Sequence, residues 1–187
     1  MSPRRSAGRA RLAQLAAVVV VTLLAGGCGI DFSQTPPPSG GRPTPQVSFS
    51  LPIESTRSAL SAALLKVGLA LVDAPEGYRP AESPALAQAQ RGTFKVVLPA
   101  DPGALFVVIY QFADAATAAG AGQEAARYLA SGPGQVQFPP DARFALAQYG
   151  ETLLFAAWSP ERTSDDETAR AAFDTIAGFG LPIPVTR

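Results

Sequence analysis

The densest group of potentially reactive side chains in this sequence is acidic: Glu161 is followed closely by Asp165, Asp166 and Glu167. Paired carboxylates can serve as acid and base in hydrolysis, and carboxylate oxygens also bind hard cations. The same residues fit a helix start, because Ser164 and Glu167 have capping-box spacing and negative charge stabilises a first turn. The pattern favours a helix N-terminus. A carboxylate-dependent hydrolase using residues near Asp165 and Glu161 is the catalytic alternative.

Two further motifs contain residue types of known functional motifs but lack the position in the fold or the spacing that those motifs require. Residues 120–125 read G-A-G-Q-E-A, which matches the G-x-G-x-x-A turn of dinucleotide-binding proteins. That turn lies between a strand and a helix, whereas here Asp114 is predicted to cap a helix that contains both glycines. We therefore expect the glycines to let the helix lie close to a sheet. Ser61 and Lys66 are five residues apart rather than three as in S-x-x-K.

The composition excludes several kinds of chemistry, because the chain has no histidine and only one cysteine. Histidine is the usual general base and the commonest ligand of zinc, iron and copper. Thiol nucleophiles, disulfides and thiolate metal sites need free cysteines. A Ser-His-Asp triad, a zinc hydrolase, a thioredoxin-like site and a haem with His or Cys ligation are excluded. We predict a non-catalytic protein with no cofactor and no metal.

The single cysteine, Cys28, directly follows a segment with the layout of a secretory signal. Four arginines precede an apolar run over residues 12–25, which closes in Ala25-Gly26-Gly27-Cys28. This end resembles the lipobox of bacterial lipoproteins. The resemblance implies that residues 1–27 are removed, that Cys28 receives a diacylglyceryl group, and that the protein is anchored on the extracytoplasmic face of the cell membrane or outer membrane. The alternative is a plain secretory signal that leaves a free thiol.

The charge of the mature part follows from removing that signal. Four of the fifteen basic residues and none of the fifteen acidic residues precede Cys28, which leaves eleven basic and fifteen acidic side chains. A net charge of about −4 gives no attraction to nucleic acid or to anionic lipid headgroups. Membrane attachment is therefore predicted to depend on the acyl chains. A further protein or apolar small-molecule partner is left open.

The mature chain divides into two parts. Residues 28–50 contain the lipidated cysteine and a tether, because the Pro36-Pro37-Pro38-Ser39-Gly40-Gly41 run and the prolines after it prevent a regular apolar pattern. Residues 51–187 are predicted to form a single globular domain, a size suited to one core.

Apolar spacing within that domain predicts an α+β fold. A helix over 52–67 ends at Gly68, a short strand follows at 69–72, and 85–90 could form one helical turn. The other predicted elements are strands at 93–98, 104–112, 135–138, 143–149 and 152–158 and helices at 114–130 and 164–178. They indicate an antiparallel sheet of about five to six strands with two or three helices on one face, in two hairpin-plus-helix units.

Two of these strands, 104–112 and 152–158, are apolar on both faces. Helices on one face of a sheet would leave the other face uncovered. Either the first helix or the 78–91 segment covers it, or it is an open surface for a lipid, peptide or protein. The functional alternative is a carrier that holds an apolar ligand on the sheet face, with Tyr110 and Trp158 as contacts.

Overall fold

The computed structural model describes residues 48–74, 78–101, 105–164 and 166–186. The signal segment, Cys28 and most of the predicted tether lie outside these residues. The elements in chain order are α1 Leu51–Leu65, β1 Ala70–Asp73, α2 Pro84–Gln88, β2 Gln90–Val97, β3 Leu105–Gln111, α3 Ala115–Ala130, α4 Gly132–Gln135, β4 Arg143–Tyr149, β5 Thr152–Trp158, α5 Asp166–Ala177 and β6 Leu181–Pro182. A 3-10 turn at Pro160–Arg162 lies between β5 and α5.

The strands form one antiparallel sheet in the order β1-β2-β3-β5-β4-β6. This confirms the α+β class and the predicted strand number. The hairpins β2–β3 and β4–β5 are each followed by a helix, as the pattern of two hairpin-plus-helix units indicated. The β4–β5 hairpin turns at Gly150, whose φ of 58° lies in the left-handed region that glycine adopts without a steric penalty.

Helices lie on both faces of the sheet, which corrects the expected placement of the helices on one face and agrees with the alternative in which the second face is covered as well. On the first, which we call the α1–α5 face, Leu60 of α1 and Phe173 of α5 pack in a core with Ile109. On the second, the α3 face, Leu129 of α3 packs in a core with Val108. Because β3 and β5 are apolar on both sides, burying them requires a layer on each side.

The cover of the α3 face is completed by the segment between β1 and β2. Tyr78 stacks on Phe106 of β3, and Leu86 of α2 joins the core of this face. The expectation that the 78–91 segment covers the second face is therefore confirmed. Together, α3 and this segment leave no exposed apolar sheet face over β3 and β5.

One predicted strand, at 135–138, is wrong. Residues Gly132–Gln135 form the short helix α4, and the chain turns after it. Pro133 suits the first turn of a helix, and Gly134 lies against the backbone of Tyr128 and Leu129, where a side chain has no room. The chain thus folds back on the end of α3 instead of joining the sheet.

The sheet and both cores lie within one compact unit, Pro45–Arg187. The Phe49 ring lies 5.0 Å from that of Phe94, and the Ser50 hydroxyl hydrogen-bonds to the side chain of Gln111. The unit therefore contains what it needs to fold by itself. Across the described ranges, no helix is both long and apolar enough to cross a membrane.

The glycines of the dinucleotide-like motif lie inside α3, which begins one residue after Asp114. The Asp114 carboxylate accepts a hydrogen bond of 2.7 Å from the Thr117 backbone N–H, as expected of an N-cap. Hydrogen bonding to Thr117 holds the pKa of Asp114 below its usual value. A Cβ at Gly122 would collide with the side chains of Ile183 and Leu153, whereas a Cβ at Gly120 would meet nothing within 4 Å. Of these two glycines, only Gly122 lies where α3 closely approaches other side chains.

This difference gives a stability prediction. Gly120→Ala is expected to raise the free energy of unfolding by about 0.5–1 kcal/mol, because alanine is the better helix former and its methyl group meets open space. Gly122→Ala is not expected to raise the free energy of unfolding, because its methyl group must displace Ile183. Urea unfolding of both variants measures the difference. An equal stabilisation by the two substitutions would contradict the close contact at Gly122.

Candidate functional site

The two predicted contact residues lie in separate cores. Tyr110 is 0% exposed on the α3 face, and Trp158 is 1% exposed on the α1–α5 face. The pairing of Val107 with Ala156 fixes this arrangement, because it places Tyr110 and Trp158 on opposite sides of the sheet. The prediction of one open face that carries both residues is therefore wrong.

A cleft of about 490 Å³ opens on the α3 face, at the end of the sheet where β3 begins and β5 ends. We call it the Tyr78 cleft. Phe106 of β3 and Ala157 of β5 lie on this face and contribute to its floor. One wall is the loop 78–81, and the other is the loop that contains Gln137 and Phe138.

The walls of the Tyr78 cleft are aromatic. The Tyr78 ring stacks on Phe106 with centroids 4.5 Å apart and planes 8° from parallel. Phe138 packs edge-on against Phe144 at 4.9 Å. Burial raises the pKa of the Tyr78 phenol to about 12, so the ring stays uncharged well above neutral pH. The result is a cleft with aromatic walls and polar side chains among its lining residues.

Polar groups meet at the rim of this cleft. The charged side chains that line it are Arg79, Asp101 and Arg162. Arg79 Nε lies 3.1 Å from the Glu82 carboxylate. Arg162 forms no ion pair within 4 Å among the residues the structure describes. Arg162 is therefore the rim cation without a direct ion pair among the described residues, and its charge adds to the hydrogen bonds that lower the pKa of Asp141.

The 3-10 turn that carries Arg162 is held by side-chain hydrogen bonds. The Trp158 indole N–H donates to Thr163 Oγ1 at 2.8 Å, and this hydroxyl donates to the Ser159 carbonyl at 2.9 Å. Asp141 accepts from the Ser159 hydroxyl at 2.7 Å and from the Glu161 backbone N–H at 2.9 Å. The Ser159 hydroxyl, and after it the Glu161 N–H, lower the pKa of Asp141.

Glu82 lies behind the 78–81 wall with its side chain only 4% exposed. Its carboxylate accepts from the Tyr110 hydroxyl at 2.9 Å and pairs with Arg91 on β2 and with Arg79. Burial, and after it the charge of Glu82, raise the pKa of Tyr110, so the phenol remains a hydrogen-bond donor at neutral pH. This cluster fixes the wall of the cleft to the sheet.

A second cleft, of about 550 Å³, lies between α2 and α3. It is more open to solvent and is lined by amide and small side chains, with Phe112 as its aromatic residue. Glu124 lines it and accepts a hydrogen bond of 3.1 Å from the Ala85 backbone N–H. Small-molecule sites are typically concave and apolar with a few convergent polar groups. The Tyr78 cleft is the more enclosed of the two and has more aromatic side chains in its lining, so it is the better candidate.

The acidic cluster takes no part in either cleft as far as it is described. Glu161 is exposed and does not line the Tyr78 cleft. Asp165 and the side chain of Asp166 lie outside the described residues, as does Cys28. Within the described ranges, no three His, Cys, Asp or Glu side chains are grouped so that they could hold a metal ion.

Of the residues that line the Tyr78 cleft, the sequence pattern pointed to Trp158 but not to the others, because they come from four separated segments of the chain. Tyr78 belongs to a stretch with prolines and no periodic pattern, and Phe138 belongs to the predicted strand at 135–138, which does not form. A large aromatic residue in such a stretch is the one signal that could have pointed to them, since it must either pack against an element or line a surface.

The chain therefore folds as an α+β domain with a cleft whose volume is typical of small-molecule sites. Comparison with known proteins found no matching family model, no matching curated protein and no matching solved structure.

Proposed function

We propose that this chain is a membrane-anchored lipoprotein of the cell envelope, whose domain acts as a non-catalytic binding or accessory module on the extracytoplasmic side. The anchor is supported by the cationic start, the apolar run and the lipobox-like end at Cys28. The proline-rich segment after it supplies a tether. As a flexible coil, its 22 or so residues would span roughly 25 Å, enough to hold the domain clear of the headgroups.

The binding role is supported by the Tyr78 cleft. Its volume of about 490 Å³ lies within the range of small-molecule sites, roughly 300–1,000 Å³. Its walls are held before any ligand binds, since Glu82 fixes the 78–81 loop and Asp141 fixes the 3-10 turn. A preformed site loses less conformational entropy on binding than a mobile one.

The alternative role is that of a carrier for an apolar ligand, which would not lie on a sheet face. An apolar molecule or lipid tail would occupy the Tyr78 cleft, because the sheet faces themselves are covered by helices. Extraction of the purified protein with organic solvent, followed by mass spectrometry, tests it. A stoichiometric apolar compound supports the carrier, and an empty extract counts against it. No observation favours the carboxylate-dependent hydrolase.

The anchor is tested by metabolic labelling with radioactive palmitate. The wild-type protein is expected to carry label and to sediment with membranes, whereas Cys28→Ala is expected to lose both properties, because the thiol is the acceptor of the lipid. Ser33→Ala, a few residues further along, is the matched control and is expected to behave like the wild type. A wild-type protein that carries no label would contradict the proposal and favour the plain secretory signal.

A further inference from the structure

We infer that the Tyr78 cleft binds an amphipathic organic anion, with a flat apolar body between the aromatic walls and an acidic group at Arg162. This deepens the proposed binding role. It does not depend on the lipid anchor.

The shape of the apolar part supports a flat body. The floor residue Ala157 has a small side chain next to Phe106 on the neighbouring strand, which leaves room above the sheet. Tyr78 and Phe138 rise on the two sides, and both rings are fixed by contacts with other aromatic rings. Aromatic groups prefer offset-stacked or edge-on contacts with other rings, and both geometries are available on such walls.

The charge at the rim supports an anion. Two guanidinium groups, of Arg79 and Arg162, line the cleft against one carboxylate, that of Asp101. Arg79 is bound to Glu82, and the nearby Asp141 is already engaged by Ser159 and by a backbone N–H. Arg162, which is exposed and forms no ion pair within 4 Å among the described residues, is thus the rim cation that can pair directly with an anionic ligand.

The position of Arg162 is fixed by bonds that leave its guanidinium unused. The Arg162 backbone N–H donates to the Ser159 carbonyl at 3.1 Å, and Thr163 is held by the Trp158 indole. A cation on a braced turn needs little ordering when it binds an anion, and guanidinium groups can bind carboxylates or sulfonates through two parallel hydrogen bonds.

The test uses two dyes that share one apolar body. The first is 1-anilinonaphthalene-8-sulfonate, and the second is its uncharged parent, N-phenyl-1-naphthylamine. Titration of the Pro45–Arg187 unit follows energy transfer from Trp158, the one tryptophan of the chain and a lining residue of the cleft. We expect a single saturable site that binds the sulfonate about fivefold or more tightly than the uncharged dye.

Two substitutions, each with a control variant, test separately the charge at the rim and the shape of the floor of the cleft. Arg162→Gln is expected to weaken binding of the sulfonate dye about fivefold and to leave binding of the uncharged dye unchanged. Lys66→Gln, directly after the end of α1, removes the same charge elsewhere and is expected to have no effect. Ala157→Leu is expected to weaken both dyes at least tenfold by filling the floor of the cleft, while Ala70→Leu on the exposed edge strand serves as its control. Circular dichroism and the melting temperature confirm that each variant is folded.

The outcomes that overturn the inference are distinct. If Arg162→Gln leaves the sulfonate affinity unchanged, or the two dyes bind equally, the cleft has no preference for an anion, although the proposed binding role survives. If Ala157→Leu changes neither affinity, the dyes bind elsewhere, and both the inference and the support that the cleft gives to the proposed function are lost.

Discussion

Replacing Glu82 with alanine is expected to lower the free energy of unfolding by about 3 kcal/mol, because the change removes a buried carboxylate that accepts from Tyr110 and pairs with the partly buried Arg91. The Glu82 side chain is 4% exposed and accepts hydrogen bonds from Arg91 and from the Tyr110 hydroxyl. Without the carboxylate, the phenol of Tyr110, itself 0% exposed, has lost its acceptor. The pair with Arg79 adds little, since that side chain is 63% exposed.

Guanidinium chloride unfolding of Glu82→Ala measures this loss. The control is Glu54→Ala, which removes an exposed carboxylate paired with Arg57 at 3.1 Å, and it is expected to change stability by less than about 0.5 kcal/mol. Tyr110→Phe in both backgrounds completes a double-mutant cycle that isolates the phenol–carboxylate bond. A loss for Glu82→Ala as small as that of Glu54→Ala would contradict the buried cluster.

The same substitution is expected to affect the cleft. Glu82 ties the 78–81 loop to β2 and β3, so its removal frees the segment that places Tyr78 on Phe106. Dye affinity should then fall with stability, whereas Arg162→Gln should change affinity alone. Comparing the two variants separates the role of Glu82 in positioning the wall from the proposed role of Arg162 in contacting an anionic ligand.

Periodic patterns predicted most of the fold because they reflect local requirements. Strands β4 and β5 were predicted with the bounds observed, since two largely apolar runs flank a glycine that the turn requires. The helix end at Gly68, with φ of 76°, follows from the same kind of local rule. The edge strand β6 was missed because it has two residues, one of them a proline, too few to carry a pattern.

The sequence did not reveal which helix covers which face of the sheet. A strand that is apolar on both sides requires two covers but does not identify them, and the choice depends on contacts between distant segments. Tyr110 and Trp158 show the same limit. Their strands each have two apolar sets, and only the register of β3 on β5 decides which sets share a face, since a slip of one residue exchanges them.

Trp158→Ala is expected to cost about 4 kcal/mol of unfolding free energy, the other large effect in this domain, because it empties a large site in the core. The ring is 1% exposed, lies 5.6 Å from Phe173 of α5, and has the Arg143 guanidinium 5.4 Å from its centroid. Its indole N–H also holds Thr163, next to the rim cation of the cleft.

Trp158→Phe separates these two roles. It keeps most of the apolar contact and removes the bond to Thr163, so it is expected to cost about 1–2 kcal/mol and to loosen the turn that carries Arg162. Unfolding is followed by far-ultraviolet circular dichroism, since both variants lack the only tryptophan. If Trp158→Ala unfolds at the same denaturant concentration as the wild type, the side chain does not support the docking of α5. If Trp158→Phe lowers sulfonate-dye affinity by fluorescence titration at unchanged fold, Trp158 contributes to the proposed site, both as a residue that lines the Tyr78 cleft and through its bond to Thr163 next to Arg162.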